Sequence, residues 1–189
     1  IVVEEESHVS HLDEFFDLVF VVTLAHIGVK FRIDEDWSSL ISLFAHWLPM
    51  YYNWFVFEGF LNRFSSTVKW VYFLYLAAFI GVIGVAVNVQ GCGLSSFTLA
   101  DIPYPCFDFA LFIFCGRMAC VIAWTIAALG VHIGRAYCWW RVLAAAIPAF
   151  FYFGAMWTMN QWLTMPVLWF VGIGLDIVLH VVPSTIVWG

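Results

Sequence analysis

His11-Leu12-Asp13-Glu14-Phe15-Phe16-Asp17-Leu18-Val19-Phe20-Val21-Val22-Thr23-Leu24-Ala25-His26 decides how the chain is read. Three carboxylates, Asp13, Glu14 and Asp17, open directly into an apolar run that reaches Val29, with only Thr23 and His26 as polar interruptions. At a rise of about 1.5 Å per residue, roughly 20 such residues cross the hydrocarbon core of a bilayer as a helix. A carboxylate at the mouth of a membrane-length helix is costly unless it is paired, hydrated or used. Asp17 therefore needs a partner elsewhere in the chain.

Composition supports a lipid solvent. Of 189 residues, 64% are apolar and 20% aromatic, and only 11% are charged, against about 25% in a soluble domain. So few charges do not cover a water-facing surface. A net charge of −6 leaves no basic patch for phosphates and excludes nucleic acid as a partner. The five cysteines, Cys92, Cys106, Cys115, Cys120 and Cys138, lack the paired short spacings of a zinc site, and no metal is expected. Cys92 and Cys106 flank one loop and are the disulfide candidate; Cys115 and Cys120 lie inside a span, where cysteine packs as a small apolar residue.

Six apolar segments, at about 13–30, 37–62, 68–90, 107–131, 141–158 and 162–182, predict an all-α polytopic bundle of about six transmembrane helices, a single domain over 1–189. Gln90 to Cys106, with two glycines, two serines and two prolines, is the one long loop. Lys30 and Arg32 fall on one side of such a bundle, and Arg63, Lys69, Arg135 and Arg141 on the other. Four against two places both termini inside. Pro49, Pro148 and Pro166 are expected to interrupt the second, fifth and sixth helices, and Ser184 and Thr185 to sit in a loop after Pro183. Glu14-Phe15-Phe16-Asp17 and Cys106-Phe107-Asp108-Phe109 hint faintly at an inverted three-plus-three repeat.

The charges gather at one depth. Asp17 lies about one turn into the first span. Trp47, Tyr51, Trp54, Glu58 and Asn62 recur at helical spacing along one face of the second. Asp176 and His180, four apart, share a face of the sixth. Arg117 lies nearer the middle of the fourth span, and Arg63 ends the second. The expectation is one buried cluster in the inner half of the bundle: Asp17, Glu58 and Asp176 answered by Arg63 and Arg117, with His180 beside them. Arginine suits this place, because its fork holds two carboxylates and stays charged. Two readings stay open for the cluster. Its ion pairs fix helix register, or its acids carry protons or a small polar solute. Trp47, Tyr51 and Trp54 form a candidate stacking platform for a ligand.

Three stretches resemble the low temperature requirement A family of multi-pass membrane proteins. They are Glu14-Phe15-Phe16-Asp17-Leu18-Val19-Phe20-Val21, the run from Trp54 through Glu58 to Asn62-Arg63-Phe64, and Arg117 within an apolar helix. The resemblance implies a polytopic helical membrane protein and covers about residues 10–182, the N-terminal half of the usual family protein. The family's later Glu-Arg and Gly-Glu elements have no counterpart here. The first residue, Ile1, points to a removed leader or to a piece of a longer chain.

Other chemistries find little support. His26, His46, His132 and His180 give no periodic pair for haem. Gly116-Arg117-Met118-Ala119 is similar to the chlorophyll-binding helices of light-harvesting proteins, but Phe112 stands where those carry glutamate. Lys30 and Lys69 sit at span ends, not at the depth a retinal Schiff base needs. No nucleophile elbow, phosphate loop, dinucleotide glycine run or His-Glu-x-x-His appears, so an enzyme ranks third. The leading reading is a transporter or channel-like protein for protons or a small polar solute. The other is a non-catalytic subunit of a larger membrane assembly. The expected partners are the bilayer, other membrane subunits or further copies of the chain.

Overall fold

The computed structural model describes residues 11–33, 37–64, 69–88, 105–130, 134–158 and 164–186. Over them the chain is all-α, with six helices and no strand among the described residues: α1 (His11–Ile33), α2 (Trp37–Leu61), α3 (Lys69–Asn88), α4 (Pro105–Gly130), α5 (Arg135–Trp157) and α6 (Thr164–Ile186). Two of them, over Phe107–Gly130 and Arg135–Trp157, are long and apolar enough to cross a membrane, with mean hydropathy 2.0 and 1.3; Tyr72–Asn88 and Val167–Val181 are shorter apolar helices.

Two expectations about helix ends are corrected. The link placed over 132–140 is shorter, because α5 already begins at Arg135, after Gly134 at φ 80°. That left-handed conformation carries no Cβ penalty for glycine, and it lets the chain turn directly into the helix. Tyr137 and Arg141 consequently sit on helix α5, not before it. At the other end, α6 starts at Thr164 and runs to Ile186. Pro166 therefore falls in the first turn, where a missing amide breaks no intrahelical bond, and Ser184 and Thr185 are helical.

The helices pack in chain order from α3 through α6, each against the next. α2 lies across this row, touching α4 and α6, while α1 closes against α2 and α3. One core cluster gathers Phe16, Phe57, Phe60, Tyr75 and Trp124; a second gathers Phe109, Ile113, Tyr152, Trp169 and Ile173. The α3–α4 contact is close because both sides carry glycine. A Cβ on Gly81 would stand 3.2 Å from the Gly116 Cα and from the Phe112 carbonyl oxygen, the small-residue packing common between apolar helices.

Polar groups inside so apolar a bundle must be satisfied by the protein itself. Thr23 and Thr125 donate their hydroxyls to the carbonyls four residues back, Val19 at 2.8 Å and Val121 at 2.7 Å. Pro49 raises the harder case. It has no amide to give to the Ala45 carbonyl, and Ala45 is buried. The Trp169 indole of α6 supplies the missing donor, at 2.9 Å. The proline that breaks the α2 ladder thus creates the acceptor that docks α6.

This pairing predicts a non-additive cycle. Trp169→Phe orphans the Ala45 carbonyl and should cost about 1–3 kcal/mol. Pro49→Ala in the same background restores an intrahelical donor and should recover part of that loss. Chemical denaturation of the purified protein in detergent checks it; strictly additive effects would refute the pairing.

Candidate functional site

α2, α4, α5 and α6 meet at one ion pair. Arg117 of α4 donates from Nη2 to Asp176 Oδ2 of α6 at 2.7 Å, and both side chains are 0% exposed. The Tyr152 hydroxyl of α5 donates to the same Oδ2 at 2.6 Å. Arg117 Nη1 reaches the Tyr52 carbonyl of α2 at 3.5 Å. One carboxylate oxygen therefore takes two charge-assisted or phenolic donors, while Oδ1 is buried without a hydrogen-bond partner, as is Arg117 Nε.

His180 stands one turn beyond Asp176. Its Nδ1 lies 2.8 Å from the Asp176 backbone carbonyl oxygen and 3.8 Å from Asp176 Oδ1. A carbonyl only accepts, so Nδ1 carries the proton, and in the neutral ring Nε2 is left with its lone pair. That Nε2 is buried and has no partner. The imidazole is held between Tyr52 and Phe55, with ring centroids at 5.2 and 6.1 Å.

On its other side His180 helps line a cleft of about 320 Å³ at one end of the bundle. α2 and the turn after it contribute Trp54, Phe55, Glu58, Gly59, Asn62 and Arg63; α5 contributes Tyr137, Trp140 and Arg141; α6 adds Leu179. Arg141 is only 7% exposed. Its guanidinium lies over three rings, Trp124 at 5.3 Å, Phe55 at 5.5 Å and Tyr137 at 5.7 Å. No carboxylate or carbonyl among the described residues meets it, and its Nε is buried without a hydrogen bond. Gly59 makes the room: a Cβ there would stand 2.6 Å from Arg141 Nη2. Arg63 donates to the Gly59 carbonyl at 3.2 Å and lies over the Tyr137 ring at 4.7 Å. Asn62 donates to Glu58 Oε1 at 3.1 Å.

The single cluster expected from sequence is therefore divided. Arg117, Asp176 and His180 come together in the core. Glu58 and Arg63 stand in the adjoining cleft, with His180 common to both. Asp17 belongs to neither: it is exposed on α1 and accepts the Trp54 indole N–H at 2.8 Å. The reason is the packing, since α1 lies on α2 and α3, away from the junction that holds Arg117. What answers Asp17 is an indole, not a guanidinium.

The aromatic stripe is also redistributed. Trp47 and Tyr51 pack ring to ring at 5.3 Å, and Tyr51 on Trp54 at 5.9 Å. Of the three only Trp54 lines the cleft, and its ring is stacked on Phe20 at 5.1 Å. Cys92 and the Cys106 side chain lie outside the described residues. Cys120 and Cys138 are buried free thiols and Cys115 is an exposed one. Among the described residues no three His, Cys, Asp or Glu side chains gather as metal ligands.

Sequence reasoning passed over Tyr152 and Arg141. Both belong to the buried face of α5 that includes Arg141, Ala144, Ala145, Pro148, Tyr152 and Ala155. That spacing was visible, but starting the helix at Trp140 or Arg141 turned the arginine into a loop charge.

The family model for the bacterial low temperature requirement A protein (LtrA) matches residues 8–187. The chain belongs to this family. Comparison with curated proteins and with solved structures returned no match. Within this LtrA chain the three stretches that carry the resemblance occupy neighbouring structural roles. Phe16 of the first packs on Phe57 and Phe79, at 5.5 and 5.1 Å, and seats α1. The second forms the cleft wall from Trp54 to Arg63. The third, Arg117, holds the buried pair.

Removing one partner of that pair leaves the other charge stranded, so Arg117→Gln should destabilise the protein by about 3–5 kcal/mol. Replacing both, as Arg117→Met with Asp176→Leu, should recover most of that loss. Unfolding titrations on the three proteins decide it. A double variant as unstable as the single one would contradict this account.

Proposed function

We propose that this LtrA-family protein crosses the bilayer six times, with both termini on the inner side, and passes protons or a small polar solute through the cleft and past the Arg117–Asp176 pair. The observation that carries this reading is Asp176 Oδ1, a carboxylate oxygen with no hydrogen-bond partner at the centre of the bundle. His180, which lines the cleft, brings its Nδ1 to 3.8 Å from that oxygen. An ion pair that served register alone gains nothing from an orphaned acceptor. An acid that takes up and releases a proton, or meets a passing donor, requires an open oxygen. The His180 Nε2 lone pair is a second open position on the same route.

Six spans are supported by the outer faces of the helices. On α1, Phe15, Leu18, Val22 and Val29 are exposed; on α3, Phe73, Leu76, Ile80, Ile83 and Val87 are. Stripes of that length are unstable in water and ordinary against acyl chains. The inner placement of the termini rests on loop charge. With Arg141 removed from the loop count, Arg63, Lys69 and Arg135 still outnumber Lys30 and Arg32.

The test is flux. Protein reconstituted in liposomes should dissipate an imposed pH gradient or admit small polar solutes faster than empty vesicles. Asp176→Asn, which removes the titrating group, should lower that flux at least about tenfold in protein whose thermal unfolding shows that it remains folded. Wild type indistinguishable from empty vesicles, or Asp176→Asn indistinguishable from wild type, would end this reading.

A further inference from the structure

We propose that the cleft is a binding site for a singly charged oxyanion, a phosphodiester or carboxylate carried on an apolar or aromatic body, with Arg141 as its principal ligand and Arg63 as the second. The first ground is electrostatic. Arg141 is 7% exposed, its Nε is buried and unpartnered, and only ring faces meet its guanidinium. Cation–π contacts offset part of the desolvation of such a charge. Unlike a lysine, an arginine does not relieve the remainder by giving up its proton. A buried guanidinium without a carboxylate is completed by an anion from outside.

The second ground is geometric. Gly59 lets Arg141 Nη2 lie close against α2 at the cleft, since a Cβ at that position would stand 2.6 Å from it. Arg141 lines a cleft of about 320 Å³, a size that admits a headgroup or a small organic acid. The fork matches two oxygens of a phosphate or carboxylate. The walls define the rest of the ligand. Trp54, Phe55 and Trp140 offer apolar and stacking surface, and aromatic-lined clefts with few polar groups bind amphipathic molecules.

The charge of the ligand follows from the lining. Arg141 and Arg63 bring positive charge to the lining, and Glu58 stands beside them. A monoanion fits, and a dianion meets Glu58. His180 Nε2, free to accept, favours a ligand that also carries a hydroxyl or amide donor. This inference stands apart from any transport role: binding needs neither a membrane nor a gradient.

The experiment uses the full chain in neutral detergent, with thermal unfolding and native mass spectrometry as readouts. Diphenyl phosphate serves as a soluble phosphodiester and phosphatidylglycerol as a lipid one, with phosphatidylcholine as the zwitterionic control. At about a hundred times its dissociation constant, an effective anion should raise Tm by several degrees. Arg141→Gln should weaken binding about ten- to a hundredfold, and Arg63→Gln about tenfold. Arg63 is exposed at the end of α2, so its variant keeps the test decisive if Arg141→Gln does not fold. A response to diphenyl phosphate, alone or with the lipid, identifies the oxyanion itself as what is recognised. A response to phosphatidylglycerol alone assigns the site to a lipid headgroup. No response to either anion, an equal response to phosphatidylcholine, or binding unchanged in both arginine variants would overturn the proposal. Binding is read in detergent with no membrane or gradient, so a failed flux assay and a failed binding assay remain separate results.

Discussion

Arg117 and Asp176 sit where no water reaches either, and everything around them is arranged by that fact. α4 and α6, which carry them, are not extensive neighbours; α2 and α5 lie against both. The pair therefore binds two helices across a junction that two others complete, with Tyr152 donating from one and the Tyr52 carbonyl accepting from the other. Charges so placed attract strongly because nothing screens them, and they were expensive to dehydrate for the same reason. The net gain in stability is small. The gain in specificity is larger, because any slip of α6 by one residue would strand both.

α2 provides the acceptors for most of this docking. Its carbonyls at Ala45, Tyr52 and Val56 take donors from Trp169, Arg117 and Trp124. Asn53 returns one, donating to the Ile113 carbonyl of α4 at 3.1 Å. An apolar helix offers little else for its neighbours to recognise. Where water is scarce, indole and guanidinium N–H groups find backbone oxygens, preferably one already released by proline. The tryptophans thus include side chains whose N–H groups set how helices meet.

Much of the fold was legible because the apolar segments are long and separated by polar links; six segments became six helices. Asp176 and His180 lie one turn apart on α6, and Arg117 meets Asp176 at 2.7 Å. What sequence did not convey is which helices are neighbours. Depth along a span is readable from residue counts, but rotation about its axis and lateral order are not. Asp17 shares its depth class with Glu58 and Asp176, yet it belongs to a helix packed on α2 and α3 and is bound to Trp54. Arg141 was lost to a boundary error of six residues, since a polar, aromatic start to α5 resembles a loop until Gly134 is known to carry the turn.

Arg117 and Arg141 show how one residue type takes two roles at nearly equal burial. Both guanidiniums are withdrawn from solvent and both stay charged. Arg117 has a carboxylate at 2.7 Å, and its charge is neutralised within the protein. Arg141 has ring faces at 5.3 to 5.7 Å, and its Nη2 lies against Gly59 of α2. Ring quadrupoles lower the energy of a cation without cancelling its field. The first arginine is therefore balanced where it stands, and the second keeps a positive potential at the cleft it lines. His180 lines that cavity and is bonded to the Asp176 backbone. The imidazole that holds to the carrier of the buried carboxylate thus also forms part of the wall that Arg141 faces.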